Sequence, residues 1–328
     1  MRSRLILLCV IVVFFVSPAF GQKRNITEKD LFSFNWIADP QVSPDGSRVA
    51  FVKVTVNEKK DGYNTAIWTV TTSTAETKQL TSGMRDSSPR WSPDGKYLVF
   101  VRVPEKDGRP DQPQLFMLSM DGGEAFQFTS LPRGAGNPQW SPDGKMIAFQ
   151  NGATTEEIAK AAPRPSPSPS ASPSPSPSPE RESDVRVITR AVYRSNDAGY
   201  LDFKHPAHIW VVTAPRTGED KVTPKQLTSG PYSDGNVTWA KDSSTIYFVS
   251  DHRDEPYYEL GKTDVYLIPV SGGQPTKLTT IDMAPAHSQL VPPANKSRST
   301  LRRTNQFSRT RNLICGSWIS RRTLSREV

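Results

Sequence analysis

The sequence predicts an all-β fold: an incomplete β-propeller of four-stranded blades, with a short N-terminal helix and a disordered C-terminal tail. Two observations carry this reading. The first is a recurring turn. Trp91-Ser92-Pro93-Asp94-Gly95 returns letter for letter as Trp140-Ser141-Pro142-Asp143-Gly144. Val42-Ser43-Pro44-Asp45-Gly46 keeps all but the aromatic, and Trp239-Ala240-Lys241-Asp242-Ser243 is a worn copy. The aspartates stand at 45, 94, 143 and 242, with spacings of 49, 49 and 99, the last about two periods. A fixed period of about 20–50 residues marks a repeat architecture. The second observation is that each period holds two hairpins, and four strands per unit of this length make a propeller blade. A β-sandwich has no reason to keep such a period.

The turn chemistry explains the residue types. Proline presets φ at the second position of a tight turn, aspartate bonds nearby backbone, and glycine takes a conformation that other residues resist. Strand-like runs flank each copy, at 97–101 and 146–149. A second hairpin follows, 114–119 and 125–129 around Met120-Asp121-Gly122-Gly123, and it recurs as 264–270 and 276–279 around Ser271-Gly272-Gly273.

In chain order, residues 1–22 have the form of a signal peptide. Arg2 and Arg4 precede an apolar run, and Ala19-Phe20-Gly21 offers small residues for cleavage before Gln22. The run is short for a membrane span. The expectation is an exported protein, periplasmic or extracellular, that is not membrane-bound after cleavage. Cys315 is then the one cysteine left, which excludes an intramolecular disulfide.

A partial propeller is expected over 23–287. Thr27 is read as the N-cap of a short helix whose apolar side, Leu31, Phe32, Phe34, Trp36 and Ile37, packs on the propeller. Blade strands follow at 49–54, 66–70 and 78–81. Gln79-Leu80-Thr81-Ser82-Gly83 recurs at 226–230, so the period is supported at two points of the unit. After Phe149 a short helical run leads to residues 163–180, almost pure Ser-Pro, read as a disordered, solvated, polyproline-like insertion. Runs at 185–193 and 208–212 are then assigned to the next blade and 245–250 to the one after, which makes most of five blades in all.

From about residue 288 the alternation stops. Residues 288–328 form a basic tail, read either as a natural disordered extension or as the product of a reading-frame shift. The chain's net charge of +8 resides wholly in this stretch, and residues 23–290 sum to about −2. Nucleic-acid binding therefore loses its support.

The entry segment Phe34-Asn35-Trp36-Ile37-Ala38-Asp39-Pro40-Gln41, the Trp-Ser-Pro-Asp-Gly hairpins, the Gln-Leu-Thr-Ser-Gly strand ends and the 250–259 stretch together resemble the N-terminal propeller of the prolyl oligopeptidase (S9) family of serine peptidases. The likeness is greatest to the acylaminoacyl-peptidase and dipeptidyl-peptidase-5-like branch. The resemblance implies a propeller that gates substrate access and admits short peptides to an α/β-hydrolase domain. That domain carries a Gly-x-Ser-x-Gly elbow with Asp and His partners. No Gly-x-Ser-x-Gly occurs here, so no catalytic residue is carried over, and the chain reads as truncated before the catalytic domain and inactive by itself. The resemblance further offers Glu255, Tyr257, Tyr258 and Glu259 as substrate-binding candidates, a carboxylate there holding a peptide's free amine. His205-x-x-His208 with Asp202 lacks the spacing of a helical zinc motif and is read as a loop, so no metal and no cofactor is expected. The alternative function is a non-enzymatic periplasmic propeller of the Tol-Pal type that binds protein partners. Open blade faces lead to an expectation of poor solubility or association for the isolated chain.

Overall fold

The computed structural model describes residues 24–161, 187–195, 199–253 and 263–278. The signal-like segment, the Ser-Pro stretch, the residues at 254–262 and the basic tail lie outside them.

Four antiparallel sheets follow one another, each with its four strands side by side in chain order. Blade 1 is β1 (Asn35–Val42), β2 (Arg48–Val56), β3 (Tyr63–Thr71) and β4 (Thr77–Gln79). Blade 2 begins with β5 (Asp86–Trp91) and β6 (Tyr97–Arg102). It then carries a small hairpin, β7 (Glu105–Lys106) and β8 (Arg109–Pro110), before β9 (Gln114–Ser119) and β10 (Phe126–Gln127). Blade 3 begins with β11 (Gly136–Trp140) and β12 (Met146–Asn151). Helix α1 (Thr155–Ala161) and a hairpin of β13 (Arg194–Ser195) and β14 (Gly199–Tyr200) intervene before β15 (His208–Thr213) and β16 (Lys225–Gln226). Blade 4 is β17 (Asp234–Trp239), β18 (Thr245–Ser250), β19 (Asp264–Pro269) and β20 (Thr276–Lys277).

Two expectations are corrected. The spacing of 99 is one blade with a long insertion, not two blades: β15 pairs directly with β12 along its whole length, Met146 opposite Thr213 through Asn151 opposite His208. The described residues therefore form four blades, and 187–193 is not a strand. The entry helix is also shorter than expected. A 3-10 turn, Glu28–Ser33, is held by Thr27 N donating to Asp30 Oδ2 at 2.7 Å, and it buries none of its residues. Trp36 and Ile37 belong to β1, where pairing with Val54 and Lys53 of β2 outcompetes helix.

Period-two side-chain alternation makes the blades pack. In β6, Leu98 and Phe100 face blade 1 with Ala50 and Ile67, while Val99 and Val101 face blade 3 with Ile147, Phe149 and Trp210. In blade 3, Ala148, Ile209 and Val211 face blade 4 with Trp239, Ile246 and Phe248. Each inner sheet is thus buried on both faces, which is why its strands read as continuous apolar runs.

Three devices repeat. First, in every Ser-Pro-Asp-Gly turn the serine hydroxyl donates to the aspartate (2.6, 2.5 and 2.6 Å at Ser43, Ser92 and Ser141). The same hydroxyl accepts the N–H five residues on, at 3.0, 2.9 and 2.9 Å. Gly46, Gly95 and Gly144 sit at φ near +70° (+71°, +70° and +68°). In the worn copy Ser243 holds this position at +61° and Ala240 replaces the serine hub. Ala240→Ser is expected to stabilise by about 1 kcal/mol, one net hydrogen bond, read as a higher urea midpoint. Second, the threonine closing each of blades 1 to 3 is buried, and its hydroxyl accepts a third-strand N–H: Thr81 accepts from Ile67 (3.0 Å), Thr129 from Leu115 (2.8 Å) and Thr228 from Ile209 (2.9 Å). That is the physical content of the recurring Gln-Leu-Thr. Third, each first strand bulges at a positive-φ residue, Asp39, Ser88, Asn137 or Asn236, followed by proline in the first three.

Ionisation of the turn aspartates follows from these bonds. The Ser43 hydroxyl, then the Ser47 hydroxyl and N–H, hold Asp45 down at about 2, below its ordinary 3.8. The Ser141 hydroxyl likewise leads the lowering of Asp143. A depressed folded-state pKa gives stability that is present above the unfolded value and lost as pH falls through the folded one. The urea midpoint is therefore expected to fall between about pH 4 and pH 2, and to fall less steeply in Asp45→Asn.

Candidate binding face

The three Ser-Pro-Asp-Gly turns and the worn copy in blade 4 lie at one end of their sheets, and the connections between second and third strands leave from the other. Of the described residues, the second end carries 57–62 in blade 1, 103–113 in blade 2, 152–161 and 201–207 in blade 3, and 251–253 in blade 4. Long loops on a rigid sheet scaffold are where a propeller presents its binding groups.

In blade 2, Arg102 closes β6 and reaches Asp86 at the start of β5 with two parallel bonds, Nε to Oδ1 at 2.7 Å and Nη2 to Oδ2 at 2.9 Å. Asp86 is fully buried, and the guanidinium stacks over Phe100 and Phe116 at 5.1 and 5.0 Å. Gly83 is required beside this pair, because a Cβ there would stand 2.5 Å from Asp86 Oδ1.

In blade 3, Arg133 joins the two sides of the insertion, bonding Glu157 of α1 at 2.9 Å and Asp202 at 3.1 Å. His205 Nδ1 lies 2.7 Å from Asp202, and its Nε2 lies 3.5 Å from Glu157. Burial pushes both carboxyls up, and the bonds outweigh it: the Thr154 N–H and Arg133 lower Glu157, and His205 lowers Asp202. His208 is not part of this cluster; it is buried in β15 and faces Asp234 at 3.4 Å. Among the described residues no group of three or more His, Cys, Asp or Glu side chains is placed to hold a metal ion.

In blade 4, the His252 ring is sandwiched between Tyr232 (4.6 Å, 15°) and Tyr266 (4.4 Å, 27°), and Tyr266 stacks in turn on Phe248 at 5.6 Å. Burial raises the Tyr266 hydroxyl; Lys277 opposes that rise, while Asp264, Asp234 and Asp251 reinforce it. Arg253 bonds Asp251 through Nε at 2.7 Å, and Lys277 bonds Asp264 at 2.6 Å. The result is an aromatic wall among carboxylates, chemistry suited to a cationic or aromatic group of a ligand. The binding candidates Glu255, Tyr257, Tyr258 and Glu259 fall within 254–262, outside the described residues. The sequence reading missed the stack, whose three rings come from separate segments. Its one visible signal was the Asp251-His252-Arg253 run directly after β18.

The four sheets define a β-propeller fold. The comparisons are more specific. Residues 19–180, just under half of the chain, match the PD40 model, described as a TolB beta propeller domain. A 113-residue stretch is 36% identical to the uncharacterized peptidase YuxL of Bacillus subtilis (strain 168), covering 34% of this chain and 17% of that protein. The uncomplexed acylaminoacyl peptidase of Pyrococcus horikoshii has the same fold at a TM-score of 0.52 and 18% identity, over 78% of this chain and 34% of the peptidase. An acylaminoacyl peptidase bound to Z-Gly-Gly-Phe-chloromethyl ketone gives 0.52 and 18%, over 77% and 34%. The chain spans about a third of the length of these peptidases and less than a fifth of the Bacillus protein.

Proposed function

We propose that this propeller is the substrate-gating part of an exported serine peptidase of the prolyl oligopeptidase family. It limits access to short peptides, and a hydrolase domain rather than the described residues supplies the chemistry. The observation that carries the reading is the 36% identity to a peptidase-named protein over 113 residues. The loop-bearing end supports it, because its carboxylates and aromatic wall suit the amine and side chains of a short peptide. Glu255 and Glu259 are proposed as holders of that amine, with Tyr257 and Tyr258 beside them.

The second reading, a non-enzymatic propeller that binds protein partners, is favoured by the match to the TolB propeller domain. One experiment separates the two. The native gene product, captured with an antibody to the propeller, is treated with a fluorophosphonate probe and offered one cleavage sequence both as a short peptide and within a folded protein. Labelling, with hydrolysis of the short form only, is expected. An unlabelled product that cleaves neither would discard the peptidase reading.

A further inference from the structure

Blade 2 shows how this fold holds a guanidinium. Asp86 of β5, Arg102 of β6 and Gln114 of β9 are register partners across three strands, so their side chains share one face of the sheet. Phe100 and Phe116 lie two residues along on that face, with ring centroids 5.8 Å apart. The Arg102 guanidinium stacks over both rings while it forks onto the buried Asp86. A planar cation is thereby given a carboxylate for two parallel bonds and an aromatic surface for its face.

Blade 4 repeats every part of this site except the arginine. Asp234 of β17, Ser250 of β18 and Asp264 of β19 are the corresponding register partners. Phe248 and Tyr266 are the corresponding ring pair, 5.6 Å apart at 20°. Asp234 is buried, its side chain 5% exposed. Ser250 stands in the place of Arg102, and its hydroxyl donates to the Ser233 carbonyl at 3.0 Å, not to either aspartate. Among the described residues the Asp234 carboxylate meets His208 Nδ1 at 3.4 Å, the long limit of a hydrogen bond, and no lysine or arginine. The neighbouring acids are matched: Lys277 bonds Asp264 Oδ2 at 2.6 Å, and Arg253 bonds Asp251. Asp264 Oδ1 is nonetheless buried without a hydrogen-bond partner. A buried carboxylate without a matching cation is costly, and blade 2 supplies that cation from its own chain.

The surroundings differ in the same sense. A Cβ on Gly83 would stand 2.5 Å from Asp86 Oδ1 and 2.8 Å from Arg102 Nε. Gly230 ends the same Gln-Leu-Thr-Ser-Gly segment ahead of blade 4, and a Cβ there would meet nothing within 4 Å. His252, exposed and stacked on Tyr266, stands beside this place at the loop-bearing end.

We propose that blade 4 binds the guanidinium group of a ligand in the place that Arg102 fills in blade 2. The group forks onto Asp234, reaches Asp264 Oδ1 with a further N–H, and lays its plane against the Phe248 and Tyr266 pair. A primary ammonium fits less well, because a point charge has neither the fork nor the flat face. An arginine side chain in a peptide and a free arginine-like compound share this chemistry. The inference stands apart from the peptidase reading, since a propeller that only binds partners would carry the same site equally well.

The test is calorimetric titration of the whole 328-residue chain with Nα-acetyl-arginine amide, its lysine analogue and its citrulline analogue, a neutral isostere. The arginine compound is expected to bind, and the other two to bind about tenfold more weakly or less. Asp234→Asn and Asp264→Asn are each expected to weaken the arginine compound, Asp234→Asn by about tenfold or more. Melting curves check that both variants fold. Ser250→Arg places in blade 4 the side chain that blade 2 has; it is expected to abolish binding and to raise the urea midpoint. Acetyl-Gly-Arg-Gly amide tells the two sources apart. Tighter binding than the single residue assigns the site to a peptide, equal binding assigns it to a free guanidinium compound, and either supports the proposal. Failure of the arginine compound to bind, equal binding of the citrulline compound, binding that survives Ser250→Arg, or a lowered urea midpoint in that variant would each overturn it. All four of these outcomes leave the peptidase reading standing.

Discussion

Trp140→Ala is expected to cost about 3–5 kcal/mol. The side chain sits in the core between blades 2 and 3 with Val99, Val101, Leu115, Met117 and Phe149, so its loss opens a cavity that rigid sheets cannot close. The indole also donates to the Arg90 carbonyl at 3.0 Å, in the first strand of the preceding blade. Trp91 does the same to Gln41 at 3.0 Å, and Trp239 to Gln139 at 3.1 Å. In each case the acceptor precedes the position equivalent to the previous blade's tryptophan, so the contact is a latch passed from blade to blade. Trp140→Phe keeps most of the volume and isolates the latch. It is expected to cost about 1–3 kcal/mol, the penalty of a donor lost and a buried acceptor left unpaired. Urea midpoints of the two variants, measured together, separate packing from the bond.

Arg102→Ala is expected to cost a similar amount, about 3–5 kcal/mol, for a different reason. It leaves the Asp86 carboxylate fully buried without its guanidinium, and removes a stacked side chain from Phe100 and Phe116. Breaking one partner of a buried pair costs more than replacing both. The double variant Asp86→Leu with Arg102→Met is therefore expected to recover much of the loss. Recovery would show that the penalty comes from the stranded charge. A double variant as unstable as Arg102→Ala would show that the pair is needed for its shape.

Much of this architecture was legible because the period repeats short-range chemistry. Serine, aspartate and glycine at fixed spacing specify a turn whose bonds all lie within six residues, so the turn can be read from the sequence alone. The gain in certainty stops where bonds cross between blades. A tryptophan in the turn motif signals an aromatic, but its partner is a backbone carbonyl 50 or, across the insertion, 100 residues away, and carbonyls leave no mark in sequence. The insertion misled for a physical reason of its own. Asp143 and Asp242 are two periods apart, and only the pairing of β12 with β15 shows one blade there instead of two. Trp36 and Ile37 misled differently. Their bulk suggested a helix face, whereas they begin a strand whose partner was already in view at 49–54. Tyr232, His252 and Tyr266 belong to three segments, and nothing local announces that their rings meet.

The most direct test of the peptidase account is the coding DNA, read in all frames from the codon of Thr280 onward. The account expects one frame to resume alternating blade strands with a Trp-Ser-Pro-Asp-Gly turn and then to reach a Gly-x-Ser-x-Gly elbow. A stop after Val328 with no such elbow downstream in any frame would contradict it.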